Sequence, residues 1–423
     1  MKFSLPSSVL LLASSVSSAA VRRHQQSCGS PSPGSSSKGL YFLDNNPSGS
    51  SIISLQIASD GTLSNPIRTP TGGNGSIGLT ANGPAETDSL FSQDSVVVSG
   101  NHLFTVNAGS NTLSHFLISP SSPQNLTLAS PPIATLGTFP NSVAFSPKLN
   151  LICVLHTGSP SPGVSCFKLD PQTNTITSTA TQGEECLLTI PLPSINQTNP
   201  GGPPTGPVNT ASDILFNPSS THLYVTTKGD PSTNTSGSVF SIPMVTDSDT
   251  LTLGTAAAAV RESKPESLLL EFSMTFLNDS AAVITDPSFG AALVDTSSPE
   301  SDAGVTLIQR TEVANQTATC WSVYSNSRQE IYLSDTGTPD VTVLDAGNGE
   351  IKRVIKGPEE GKGSLDSVLL GNKLYVLQAG SGISVLDVDG GLQEEVVVQS
   401  LDLSGLGDRR GWMGMAVYRG DDE

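Results

Sequence analysis

Asn141-Ser-Val-Ala-Phe-Ser-Pro147 followed by Leu151-Ile-Cys-Val-Leu-His-Thr-Gly158 reads as two short strands of alternating character joined by a turn. The second strand ends in a polar residue with a glycine two positions later. The same phrase returns as Ser212-Asp-Ile-Leu-Phe-Asn-Pro218 with His222-Leu-Tyr-Val-Thr-Thr-Lys-Gly229. It returns again as Asp94-Ser-Val-Val-Val98 with Asn101-His-Leu-Phe-Thr-Val-Asn-Ala-Gly109, and as Asp366-Ser-Val-Leu-Leu370 with Lys373-Leu-Tyr-Val-Leu-Gln-Ala-Gly380. A third strand follows in each case, over residues 112–118, 163–169, 237–242 and 382–388, then a Gly/Asp/Asn turn and an outer segment. Less regular copies begin near Glu266, with residues 281–285 as second strand, and near Trp321, with residues 330–337.

The first copy is split. Residues 39–44 and 51–57 read as the later strands of a unit, and the missing inner strand is supplied from the other end by residues 413–418. A unit assembled from both termini locks a closed ring and removes the open edges of a linear array. Seven units of roughly 56 residues each are blade-sized. The expected fold is therefore all-β: a seven-bladed β-propeller of four-stranded antiparallel blades over residues 39–418, closed by the N- and C-terminal strands in one composite blade. A pair of β-sandwich domains linked by residues 198–207 is the competing architecture, but the repeat runs on across that stretch, which reads as a long loop. Residues 256–260 form the one helix-like patch.

Composition agrees. Charged residues make up 14% of the chain, with 40 Gly and 30 Pro in their place, the vocabulary of strands and turns. The excess of 38 acidic over 20 basic side chains gives a net charge of -18, which repels phosphate backbones and excludes nucleic acid as a partner. Residues 1–20 hold Lys2, an apolar stretch and a small-residue exit, the pattern of a secretory signal peptide. Residues 21–38 form a short pro-like or disordered segment beginning with Arg22 and Arg23, a dibasic processing site, and residues 419–423 an acidic tail. No later apolar run is long enough to span a bilayer. Glycosylation sequons stand at Asn74, Asn125, Asn196, Asn234, Asn278 and Asn315. The expected location is extracellular. Of five cysteines, Cys153 and Cys166 fall in adjacent strands of one hairpin, at a spacing a disulfide tolerates. Cys186 with Cys320 is a second pairing, and Cys28 is left over. No metal-binding motif is present, and no cofactor or metal is expected.

Three stretches carry a resemblance: Phe104-Thr-Val-Asn-Ala-Gly-Ser-Asn-Thr-Leu-Ser-His-Phe116, Phe139-Pro-Asn-Ser-Val-Ala-Phe-Ser-Pro147 and Gly163-Val-Ser-Cys-Phe-Lys-Leu-Asp170. The chain resembles the seven-bladed lactonase family, which includes phosphogluconolactonase-like proteins and fungal carboxymuconate cyclases, and a secreted, glycosylated form looks like the fungal cell-surface members. The resemblance implies a small lactone, muconate or sugar acid handled in the central funnel by His, Glu and Arg side chains. The inner-strand starts here carry Asp94, Asn141, Ser212 with Asp213, Glu266, Trp321, Asp366 and Met413, without a His, so no catalytic residue transfers by position.

Alternate strands run in opposite directions, so a second ring opens on the same mouth: Asp44, Asn107, His156, Thr227, Asp286, Asp335 and Gln378. His156, with Asp213 as orienting carboxylate, is the general acid–base candidate. A backbone-bonded loop His is its bland counterpart. Asp94 and Asp366 suit sugar hydroxyls or turn amides. Arg409 and Arg410 suit an anionic ligand, or simply a solvated turn. Trp321 and Trp412 are stacking platforms or core plugs. Two functions follow: an enzyme that forms or hydrolyses a lactone, or a non-catalytic, glycosylated cell-wall or secreted binding or adhesion protein. A small anionic molecule or a glycan is the expected partner, and the oligomeric state is open.

Overall fold

A computed structural model describes residues 37–178, 187–188, 201–247, 250–253, 260–299, 301, 304–358, 362–380, 382–389 and 396–420. Seven antiparallel sheets form the blades of a propeller. Blade 1 is composite: its inner strand is Trp412–Tyr418, followed outward by Lys38–Asp44, Ser51–Ile57 and Leu63–Pro70. Gly39 pairs with Tyr418 and Asp44 with Trp412, so backbone ladder bonds between the two ends of the chain close the ring. The inner strands of blades 2 to 7 are Val96–Ser99, Pro140–Ser146, Ala211–Phe216, Met274–Asn278, Thr319–Ser325 and Ser364–Leu370. In blade 5 the inner strand thus starts at Met274. Glu266 lies exposed in the connection before it, because Met274, Phe276 and neighbouring apolar residues, not Glu266, supply the face that packs on Ala282 and Ile284.

Second strands are apolar on both faces because each blade is sandwiched between two others. All of Leu151–His156 and Glu330–Asp335 is buried, whereas the outermost Ile351–Ile355 is mostly exposed. The last residues of the seven second strands are Asp44, Asn107, His156, Thr227, Asp286, Asp335 and Gln378. With the connections that lead from each outer strand to the next inner strand, they lie on one face, the mouth. At that end the inner strands slip register between Pro140 and Ser142, Ala211 and Asp213, and Thr319 and Trp321. Each bulge sets one extra residue at the channel, Asn141, Ser212 and Cys320 respectively. Cys153 lies directly opposite Cys166 in the second and third strands of blade 3, and the two are disulfide-bonded. Cys320 is a buried free thiol. Cys28, Cys186, Asn196, residues 256–259 and the leader lie outside the described residues.

Candidate functional site

The channel is filled by its own chain. The connection from blade 1 to blade 2 runs across the mouth as a small hairpin, Leu79–Thr80 with Gly83–Pro84, and residues 88–94 then descend into the axis. Asp88, Phe91 and Asp94 adopt positive φ of 51°, 56° and 57°, the tight reversals that let an irregular segment fit a narrow bore. Partners from three blades hold it. Ser92 Oγ donates to Asn141 O at 2.7 Å, Gln93 N to Ser212 O at 3.1 Å, Trp321 Nε1 to Ser92 O at 3.2 Å and Ser322 N to Gln93 Oε1 at 3.2 Å. Lys228 Nζ donates to Phe91 O at 2.6 Å and to Ser212 Oγ, and sits 4.7 Å from the Phe272 ring centroid. Above, Leu79 N donates to Pro204 O and Gly206 N to Leu79 O, both at 2.8 Å, roofing the mouth with two connections laid side by side.

Below the roof stand the half-buried Asp94 and the buried Asp213 and Asp366. Burial pushes Asp94 up to about 7. Asp213 and Asp366 rise well above the usual carboxylate range, first through burial and then through the charge of Asp94. Their hydrogen bonds are structural. Asp213 Oδ2 accepts from Met274 N at 2.9 Å, and Asp366 accepts from Ser367 N at 2.8 Å and Met415 N at 3.0 Å, so each pins the inner strand of the following blade. Asp366 is therefore occupied with backbone amides, not open to a ligand.

His156 and Asp213 share no hydrogen bond. His156 Nδ1 faces Gly163 O at 3.1 Å, its Nε2 has no partner, and burial holds its pKa down to about 4. Gly137 closes over it: a Cβ there would lie 2.2 Å from the imidazole Cγ. The ring is sealed and neutral, so the pairing of His156 with Asp213 as an acid–base couple is corrected by their separate backbone partners. The stacking platforms are corrected too, because Trp321 and Trp412 are fully buried, Trp321 against Phe272 and the channel segment, Trp412 against Phe42 at 5.2 Å.

Arg409 and Arg410 do reach the mouth. Arg409 Nη1 donates to Glu86 O at 3.4 Å, on the roof, and Arg410 Nε donates to Asp408 Oδ2 at 2.7 Å. The described sequon residues, Asn74, Asn125, Asn234, Asn278 and Asn315, are all exposed. Among the described residues no group of three His, Cys, Asp or Glu side chains could hold a metal ion.

Two cavities flank the roof. One of about 220 Å³ is walled by Phe91, Phe272, Leu270 and Pro207, with Lys228, Asp88 and Cys320 among its polar members. Burial raises Asp88 toward neutrality against the pull of Lys228, and burial lowers Lys228 against the pull of Asp88. The two line one cavity without an ion pair between them: Asp88 Oδ1 accepts from Ser92 N at 3.3 Å, and Lys228 Nζ donates to Phe91 O and Ser212 Oγ. Sequence reasoning missed this pair. Its signal was the position before the turn glycine, where Ala108, Thr157, Thr336 and Ala379 stand in other blades and Lys228 alone is charged. The other cavity, of about 550 Å³, lies over blade 1 and includes Asp44, Asp408 and Arg410.

No protein-family model and no curated protein matches the chain. Solved structures do. A 6-phosphogluconolactonase-like protein of Bacteroides fragilis superposes with a TM-score of 0.57 at 14% identity, over 92% of this chain and 100% of that one. One from Bacteroides uniformis gives 0.55 at 13%, over 87% and 97%. The periplasmic gluconolactonase of Pseudomonas aeruginosa gives 0.50 at 13%, over 71% and 82%. At such identities the likeness is one of fold: this chain is similar in architecture to the seven-bladed lactonase-like propellers.

Proposed function

We propose that this chain is an extracellular lactonase-like propeller whose ligand, a small lactone, muconate or sugar acid, occupies the cavity beside the roof rather than the channel axis. The observation that carries the reading is the buried Lys228 with Asp88 in a small, otherwise apolar cavity, while the axis itself is occupied by residues 88–94. An apolar pocket with a few convergent polar groups is the ordinary form of a small-molecule site. The pair supplies what lactone opening needs. Ionised Asp88 takes a proton from water as the water oxygen bonds to the carbonyl carbon, and the Lys228 ammonium stabilises the oxyanion. Collapse breaks the ring C–O bond, and the proton held by Asp88 passes to the departing alkoxide. The exposed sequons and the leader-like first residues support the extracellular part.

The test is a thermal-shift titration with glucono-δ-lactone, a muconolactone and gluconate, followed by hydrolysis rates against the uncatalysed background, on native protein, Lys228→Met and Asp88→Asn. A shift and a rate that both disappear in the isosteric Asp88→Asn protein support the reading. A shift without turnover points to the binding-protein alternative, for which the two hydrogen bonds Lys228 already donates within the chain speak. Absence of any shift with all three compounds overturns it.

A further inference from the structure

Lys228 is the one lysine among the described residues that is buried, with 1% of its surface exposed. Burying an ammonium is costly unless a carboxylate matches it, and among the described residues none is paired with this one. Its nitrogen donates instead to two neutral acceptors, Phe91 O at 2.6 Å and Ser212 Oγ, and the Phe272 ring centroid lies 4.7 Å away, a loose contact for a third N–H. An ammonium has three N–H bonds to satisfy, and an amine has two. The two oxygens match the amine and leave its lone pair uncommitted. Burial lowers the proton affinity of Lys228 and raises that of Asp88. Passing one proton from Nζ to Asp88 therefore removes both charges from apolar surroundings without changing the net charge of the cavity.

The nitrogen stands among the walls of the cavity of about 220 Å³: Phe91 and Phe272, which it touches, and Asp88 and Cys320, whose charges act on it, all line that space. A lysine desolvated in an apolar pocket is a nucleophile toward carbonyl carbon. Size and polarity define its partner. A cavity of about 150 Å³ takes benzene, so this one takes a ring with a short substituent. Walls from Phe91, Leu270, Phe272 and Pro287, in a chain of net charge -18, favour an uncharged compound over a carboxylate or a phosphate. We propose that Lys228 forms an imine with a small, uncharged aldehyde or ketone held in this cavity. The amine lone pair bonds to the carbonyl carbon as the C=O π pair moves to oxygen, and a proton passes from nitrogen to that oxygen. Protonated Asp88 then gives its proton to the new hydroxyl. The C–O bond breaks, water leaves, and the nitrogen lone pair closes the C=N bond, so that a protonated imine faces the Asp88 carboxylate with no oxidant or reductant consumed. This activity rests, like the lactone reading, on the cavity admitting a small molecule, but it needs no lactone opening.

The experiment is reductive trapping on the full chain at neutral pH with benzaldehyde and sodium cyanoborohydride, which reduces the C=N bond and fixes the adduct, followed by peptide mass mapping. The exposed Lys148, Lys264 and Lys356 serve as internal comparators. The expected result is benzylation of Lys228 about tenfold faster than of any comparator, since an exposed lysine is almost wholly ammonium at that pH. Lys228→Met should lose that adduct and keep the others, and Asp88→Asn should slow it about tenfold. Benzyl alcohol, of the same shape but without the carbonyl, should slow labelling of Lys228 alone, which keeps the test open should Lys228→Met fail to fold. Labelling that spares Lys228, or that reaches it no faster than the comparators, overturns the proposal. So does labelling of Lys228 that benzyl alcohol leaves unchanged, because the cavity is then not where it occurs. Lactone hydrolysis with Lys228 unlabelled removes the imine and leaves the lactone reading standing, and labelling without hydrolysis does the reverse.

Discussion

Asp44 and Asp335 are the same residue at the same strand position, both buried, and they do opposite things with their second oxygen. Asp335 places both oxygens on backbone amides of its own blade, and Asp44 leaves Oδ1 buried without a partner. The difference teaches that in a repeat fold the same residue at the same strand position ties its blade by different bonds, backbone amides in blade 6 and an arginine side chain in blade 1. The largest effect that tests this is on stability. Asp335→Ala strands three backbone N–H groups and is expected to cost about 2–3 kcal/mol. Asp44→Ala loses a partly exposed ion pair and is expected to cost about 1 kcal/mol. Urea midpoints measure both, and equal losses would remove the distinction between the two carboxylates.

The repeat that makes such a comparison possible was legible in the residues. Seven second-strand ends, the closure of residues 39–44 by 413–418 and the Cys153–Cys166 bridge all followed from period-two alternation and the recurrent turn glycine. What was not legible is the segment 88–94. It belongs to no repeat, its backbone turns at Asp88, Phe91 and Asp94 without glycine, and its partners, Asn141, Lys228 and Trp321, are remote in sequence. Without it the inner ring read as an open mouth, and His156, Trp321 and Trp412 as candidates to face a ligand. Tertiary packing decided against them, the bore segment on Trp321, Gly137 on His156 and Phe42 on Trp412, and no local pattern encodes that.

The axis and the rim also part company on pH. Asp94, held up to about 7 against 3.8 when unfolded, binds its proton more tightly in the native state. The stability it brings is therefore fully present below the unfolded value and is lost as pH rises through about 7. His156 runs the other way. Its pKa, depressed from 6.5 to about 4, gives stability present above 6.5 that is lost as pH falls through about 4. Asp213, Asp366 and Glu271 are raised like Asp94. The melting temperature should therefore be higher near about pH 5 than near about pH 8. Asp94→Asn should raise it at the alkaline end and leave it little changed at the acid end. A melting temperature that climbs steadily from the acid to the alkaline end would show that the axial carboxyls are ionised in the fold.

A smaller effect separates the two members of the blade 1 pair. In a double-mutant cycle, Asp44→Asn and Arg68→Ala are expected to couple by about 0.5–1 kcal/mol, since Arg68 is a third exposed and solvent screens the pair. Additive losses would mean that Arg68 is held by Leu406 O alone.

The smallest effect on the fold is also the most informative about the rim. Arg410 bonds within its own short turn to Asp408, two residues back, and half of its side chain is in solvent. Arg410→Ala should leave the melting temperature where it was, because a local, exposed ion pair contributes nothing measurable. Were the melting temperature to fall as far as in Asp335→Ala, Arg410 would be a structural residue of blade 1, and the contrast between a saturated and an open carboxylate would have to rest on Asp44 alone.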